Sequence, residues 1–200
     1  MFKRKKLNVA VVAISVIAVF CILYISLYKS PFEAYYSNKV QYLNRDEIKT
    51  KVRSEFERDY TYTELLEWVN DTLTLDKTYN DLQRTGIKDP LKIIENERGQ
   101  CEEFAILYVA ACLAHGYDSR LVVATNVTDP NNWTDLHVWA EVKMCGWIHV
   151  DPAGVAWNDR YRYERCETGD WGKDIGSTVK IYAFEDGSCE EVTLSYLRNH

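Results

Sequence analysis

Residues 135–152 read DLHVWAEVKMCGWIHVDP, and the fold turns on this stretch. Residues 136–143 alternate between apolar and polar, and residues 147–150 alternate again, with a short turn through Met144, Cys145 and Gly146 between them. Two period-two runs joined this way predict an antiparallel hairpin. On the first strand His137, Trp139 and Glu141 share one face, and Val138, Ala140 and Val142 share the other, the core face. On the return strand Trp147, His149 and Asp151 share a face, opposite Ile148 and Val150. Pairing the strands brings the His137 imidazole near the Asp151 carboxylate on one face. A slip of one residue would put them on opposite faces.

Upstream, residues 101–115 carry a helical stripe of Phe104, Leu107, Tyr108, Ala111, Cys112 and Ala114, and Gly116 follows as a stop signal. Cys101 opens that helix, directly after Gly99 and Gln100. A helix N-terminus presents unpaired N–H groups and positive partial charge, which favour a thiolate placed there and can hold an oxyanion. Gly99 is read as giving a sharp backbone turn and room for a substrate. Taken alone, Cys101 also fits a buried, inert cysteine, and His137 alone fits a structural histidine. Together they supply a thiol, an imidazole to take its proton and a carboxylate to orient that imidazole.

Other segments frame this centre. Residues 45–60 place Ile48, Val52 and Phe56 four apart, and residues 63–73 place Leu65, Leu66, Val69 and Leu73 on one side, so two amphipathic helices are predicted. Residues 91–96 suit a further helical turn or two. Strands are predicted over 120–125, 179–184 and 190–194. Helices first and an antiparallel sheet afterwards define an α+β fold.

The N-terminus is different in kind. Lys3, Arg4, Lys5 and Lys6 precede an uncharged apolar run over residues 9–27. About 20 such residues suffice to cross a bilayer as a helix. The flanking cations keep the N-terminus on the cytoplasmic side. A cleaved signal peptide would have a shorter apolar core ending in small residues. The expectation is a basic tip and single-pass anchor over 1–28, in contact with the lipid bilayer, a stalk over 29–44, and an extracytoplasmic domain over 45–200. Asn70, Asn126 and Asn132 each head a glycosylation acceptor triplet, and Cys166 and Cys189 could pair in an oxidising compartment.

The formal net charge is -6, and the main body has no basic patch, which argues against a nucleic-acid partner. No phosphate-binding glycine loop is present, and the spacing of Cys145, His149, Asp151 and His137 matches no common zinc pattern, so no cofactor or metal is expected. Glu102 and Glu103 fit the acidic preference of a first helical turn. Trp133 and Trp139 suit either a cleft or sheet packing.

The segments GQCEEFA at 99–105, HGYDSRLV at 115–122, DLHVWAEV at 135–142 and GWIHVDP at 146–152 resemble the transglutaminase-like superfamily, and HVWAEV with GWIHVDPAG is similar to peptide N-glycanases. The resemblance covers roughly residues 88–154. It implies a papain-like core with Cys101 as nucleophile, His137 as general base and then acid, and Asp151 as the orienting carboxylate. The paired upstream cysteines that bind structural zinc in those glycanases have no counterpart here, since Cys21 alone precedes Cys101. The superfamily also uses an upstream side chain at the oxyanion, for which Trp68 and Gln100 are candidates. The implied activity is a thiol hydrolase acting on a protein, peptide or glycopeptide amide. The alternatives are a protein-crosslinking acyltransferase and a non-catalytic extracytoplasmic binding or scaffold module.

Overall fold

The computed structural model describes residues 15–17, 29–76, 89–128, 134–154, 156–157 and 174–197. The chain forms two units, Met1–Ala34 and Tyr35–His200. In the first, Ser15, Val16 and Ile17 are helical. The rest of the run read as a membrane anchor lies outside the described residues. Among the described residues no helix is long and apolar enough to cross a membrane.

Helix α1 (Pro31–Leu43) starts in the first unit. Ser30 and Glu33 cap it reciprocally, Glu33 N–H donating to Ser30 Oγ and Ser30 N–H to Glu33 Oε2, both at 3.1 Å. From Tyr35 onward it belongs to the second unit. Most of the stretch expected to be a stalk is therefore helix. The physical reason lies in Tyr36, Val40 and Leu43, spaced four and three apart and all buried. Helix α2 (Asp46–Arg53) buries Ile48 and Val52 but ends before residue 60, where charged residues take over. Helix α3 (Tyr62–Thr72) begins with a Thr61–Glu64 capping box and buries Leu65, Leu66 and Val69. Strand β1 (Thr74–Leu75) pairs in parallel with β2 (Arg98–Gly99), and helix α4 (Pro90–Asn96) lies between them in sequence.

Helix α5 (Cys101–Ala114) follows β2. Its residues from Glu102 to Cys112 are all buried, so it is enclosed on every side, with no solvent face. A six-stranded antiparallel sheet follows, in the order β6-β5-β4-β3-β7-β8. Its members are β3 (Ser119–Asn126), β4 (Thr134–Lys143), β5 (Trp147–Asp151), β6 (Ala156–Trp157), β7 (Val179–Glu185) and β8 (Ser188–Glu191). One face carries Leu121, Val123, Val138, Ala140 and Val142, all buried. The other carries Val122, Ala124, Trp139, Ile181 and Ala183, closed over by Tyr196 of the C-terminal helix α6 (Thr193–Leu197).

Two findings depart from expectation here. The strand predicted at 190–194 starts at Ser188 and gives way to α6 at Thr193. Asp186 and Gly187, at φ 43° and 78°, form the two-residue hairpin loop that sets this register. The second face of β4, opposite the one assigned to the core, is also buried, Trp139 fully and Glu141 to 1% exposure. A sheet covered on both sides leaves no polar face to alternate against.

Of the possible modification sites, Asn132 and Cys166 lie outside the described residues. Asn70 is inside α3, where its Nδ2 donates to Leu66 O at 2.9 Å.

Candidate active site

The hairpin pairs Ala140 with Val150, Glu141 with His149, Val142 with Ile148 and Lys143 with Trp147. This register puts Asp151 across from Trp139 and diagonal to His137, on one face. The diagonal is within reach of an imidazole, and His137 Nε2 lies 2.8 Å from Asp151 Oδ2. Both side chains are shielded, His137 at 12% and Asp151 at 8% exposure.

Cys101 occupies the first position of α5, and its thiol lies near enough to the same imidazole to favour its protonated form. With Nε2 engaged by Asp151, Nδ1 is the nitrogen left for the thiol. Desolvation pulls the His137 imidazole down. The hydrogen bonds to Asp151 and Cys101, with their charges, outweigh it and raise the group to about 10. Its two neighbours thus favour the protonated form of the ring. The three predicted site residues, far apart in sequence, are brought together at one point.

The start of α5 is built tightly. Gln100 N–H donates to Glu103 Oε2 at 2.8 Å. A Cβ on Gly99 would lie 2.4 Å from Glu103 Cβ. The room that Gly99 leaves is thus taken by Glu103, and not by a substrate as its sequence context suggested. Glu102 is buried and paired with Lys39 of α1, itself 1% exposed. Tyr35 donates to the same carboxylate oxygen at 3.4 Å, and the Lys39 ammonium lies 4.1 Å from the Tyr35 ring centroid. The reading of Glu102 as a first-turn preference missed this buried cation. Its signal is a lone lysine among the buried positions of α1.

Of the two oxyanion candidates, Gln100 stands next to the thiol. Trp68 packs on Phe56 at 4.4 Å, and Phe56 meets His115 edge-on at 4.6 Å. His115 caps the C-terminal end of α5, about 20 Å of helical rise from Cys101. The contacts of Trp68 therefore belong to the opposite end of that helix. Trp133 lies outside the described residues, whereas Trp139 is at the site, its ring stacked 5.8 Å from His137. A second cysteine of α5, Cys112, is fully buried, and burial pushes its thiol up to about 12. Among the described residues no cluster of His, Cys, Asp and Glu could hold a metal ion.

A profile of the transglutaminase-like superfamily matches residues 45–152, which include all three of these side chains. Among curated proteins, the chain is 34% identical over 113 residues to the peptide-N(4)-(N-acetyl-beta-glucosaminyl)asparagine amidase of Arabidopsis thaliana. It is 31% identical over 115 residues to the Gallus gallus protein of the same name. These matches cover 55% and 56% of this chain but only 14% and 15% of the relatives. Among solved structures, a chain of the Rad4/XPC nucleotide excision repair complex superposes with a TM-score of 0.53 at 14% identity, covering 79% of this chain and 46% of that one. At that identity the likeness is one of fold.

Proposed function

The chain belongs to the transglutaminase-like superfamily, and from that premise we propose that it is a membrane-anchored thiol enzyme that cleaves amide bonds outside the cytoplasm. The observation that carries the reading is the His137 ring, bonded to Asp151 Oδ2 at 2.8 Å and near enough to the Cys101 thiol for that group to favour its protonated form. The anchor rests on the uncharged apolar run over 9–27 behind four cations.

In the proposed reaction the thiol proton passes to His137, and the Cys101 sulfur attacks the amide carbon. The carbonyl π pair moves to oxygen, where first-turn N–H groups of α5 stabilise the negative charge. As the intermediate collapses, the C–N bond breaks and His137 returns its proton to the leaving nitrogen. This leaves a thioester on Cys101. Water, deprotonated by His137, then attacks the thioester, and the thiol is regenerated as the acid departs. Asp151 keeps the ring oriented and stabilises the imidazolium throughout. The substrates proposed are proteins, peptides or glycopeptides. The activity for which the curated relatives are named, that of a peptide-N(4)-(N-acetyl-beta-glucosaminyl)asparagine amidase, motivates including the last.

The test is a mixed peptide and glycopeptide pool incubated with the full-length protein in detergent and analysed by mass spectrometry. New cleavage or deglycosylation products that vanish with Cys101→Ala are expected. Identical product sets from the two proteins would end the hydrolase reading. Incorporation of a labelled amine into acceptor proteins, without hydrolysis, would instead favour a cross-linking acyltransferase.

A further inference from the structure

We propose that Tyr196, on α6, is a positioning residue for the active-site imidazole, its hydroxyl fixing the Trp139 indole against which the His137 ring stacks. This rests on the proposed roles of Cys101, His137 and Asp151. Tyr196 lies outside residues 45–152 of the superfamily match, so the support comes from a part of the chain that the match does not describe.

The need for such support is geometric. The bond from Asp151 fixes where His137 Nε2 points, yet the imidazole can still roll about that direction. Its plane has to be set by packing. Trp139 does this, with its ring 5.8 Å away and inclined by 23°. The rings of His149 and Tyr196 also lie against Trp139, each 5.6 Å away, inclined by 47° and 77°.

Trp139 is in turn held through its polar edge. Its Nε1–H donates to Tyr196 Oη at 3.1 Å. The same hydroxyl donates to Glu141 Oε1 at 2.5 Å. The other Glu141 oxygen takes Arg120 Nε at 2.8 Å and Nη2 at 2.7 Å. The Arg120 guanidinium lies 4.0 Å from the Trp147 ring centroid. All of Trp139, Glu141, Arg120 and Tyr196 are buried. A charge-assisted chain in a dry setting is stiff. It runs from Arg120 through Glu141 and Tyr196 to the indole, and ends at the imidazole. Deleting the hydroxyl removes two bonds from the middle of that chain. The indole can then rotate, and His137 loses the surface that sets its plane toward Cys101.

The measurement is the rate at which iodoacetamide alkylates Cys101, read on its own peptide by mass spectrometry, between about pH 5 and 9. The full-length protein in detergent is used. A thiol paired with an imidazolium reacts well below the pH at which a free thiol does. Tyr196→Phe is expected to lower the rate at about pH 6 roughly tenfold, equivalent to a shift of one pH unit in the profile. Ile181→Val, a modest cut in the same apolar cluster, is expected to leave the profile in place. A merely structural role for Tyr196 would make the two variants alike.

A folded Tyr196→Phe protein with the wild-type profile overturns the proposal. Should that variant not fold, Trp139→Phe removes the indole N–H instead and is expected to move the profile the same way, and no movement overturns the proposal equally. His137→Ala separates two failures. If it leaves the profile unmoved, the triad itself is wrong. If it moves the profile toward that of a free thiol while Tyr196→Phe does not, the triad stands and the positioning role falls.

Discussion

At the scale of single residues, the environment sets two cysteines on one helix apart. Cys101 meets an imidazole at the helix start, while Cys112 is sealed within the core with its thiol pushed up to about 12. Native protein treated with an alkylating reagent near neutral pH is therefore expected to label Cys101 and leave Cys112 untouched, as read by peptide mass spectrometry. Labelling of Cys112 at a comparable rate would contradict the burial described. His137 gives a pH dependence with a definite sign. Its folded value, about 10, lies above the ordinary 6.5. The stabilisation it brings is fully present below about 6.5 and is lost as pH rises through about 10. Urea midpoints of wild type and His137→Gln should thus be furthest apart at pH 6 and converge toward pH 10.

Elements show which parts of the structure could be read from the chain and which could not. The hairpin of β4 and β5 was legible because alternation fixes which residues share a face, and the register found within that constraint brings His137 to Asp151. Helix α5 was legible from its stripe and from Gly116, although its burial on all sides was not, since partners distant in sequence create it. Helix α1 was hidden because tyrosines at 35, 36 and 42 suit a membrane interface as well as a core. The true start of β8 is encoded by Asp186 and Gly187, a residue pair suited to a two-residue hairpin turn. At the head of α5, Gly99 supports a direct prediction. A methyl group there collides with Glu103, so Gly99→Ala should lower stability by about 1–3 kcal/mol in urea unfolding, the usual cost of overpacking. A change below about 0.5 kcal/mol would mean that the helix start yields more easily than its contacts indicate.

Across the whole second unit, one buried ion pair joins distant parts of the chain. Lys39 of α1 meets Glu102 beside Cys101, both nearly without solvent. Removing one partner strands the other. Lys39→Met should cost about 3–5 kcal/mol, whereas Lys39→Met combined with Glu102→Leu should recover much of that loss. Chemical denaturation of the single and double variants measures the difference. A double variant as unstable as the single one would show that the pair serves more than charge balance.

The sheet order has a consequence for the timing of synthesis. Strand β3 is central, yet one of its neighbours, β7, is made only after β4, β5 and β6. A growing chain that has just extended through Asp151 already contains Cys101 and His137. It still lacks β7, β8 and the helix that closes over Trp139. During translation the thiol is therefore present well before the surroundings that would activate it. Reactivity is delayed until about 45 further residues have left the ribosome, some seconds later at ordinary elongation rates. If Cys101 has the role proposed for it, the order of the strands acts as a clock that leaves its thiol without these surroundings while its own chain is still unfolded.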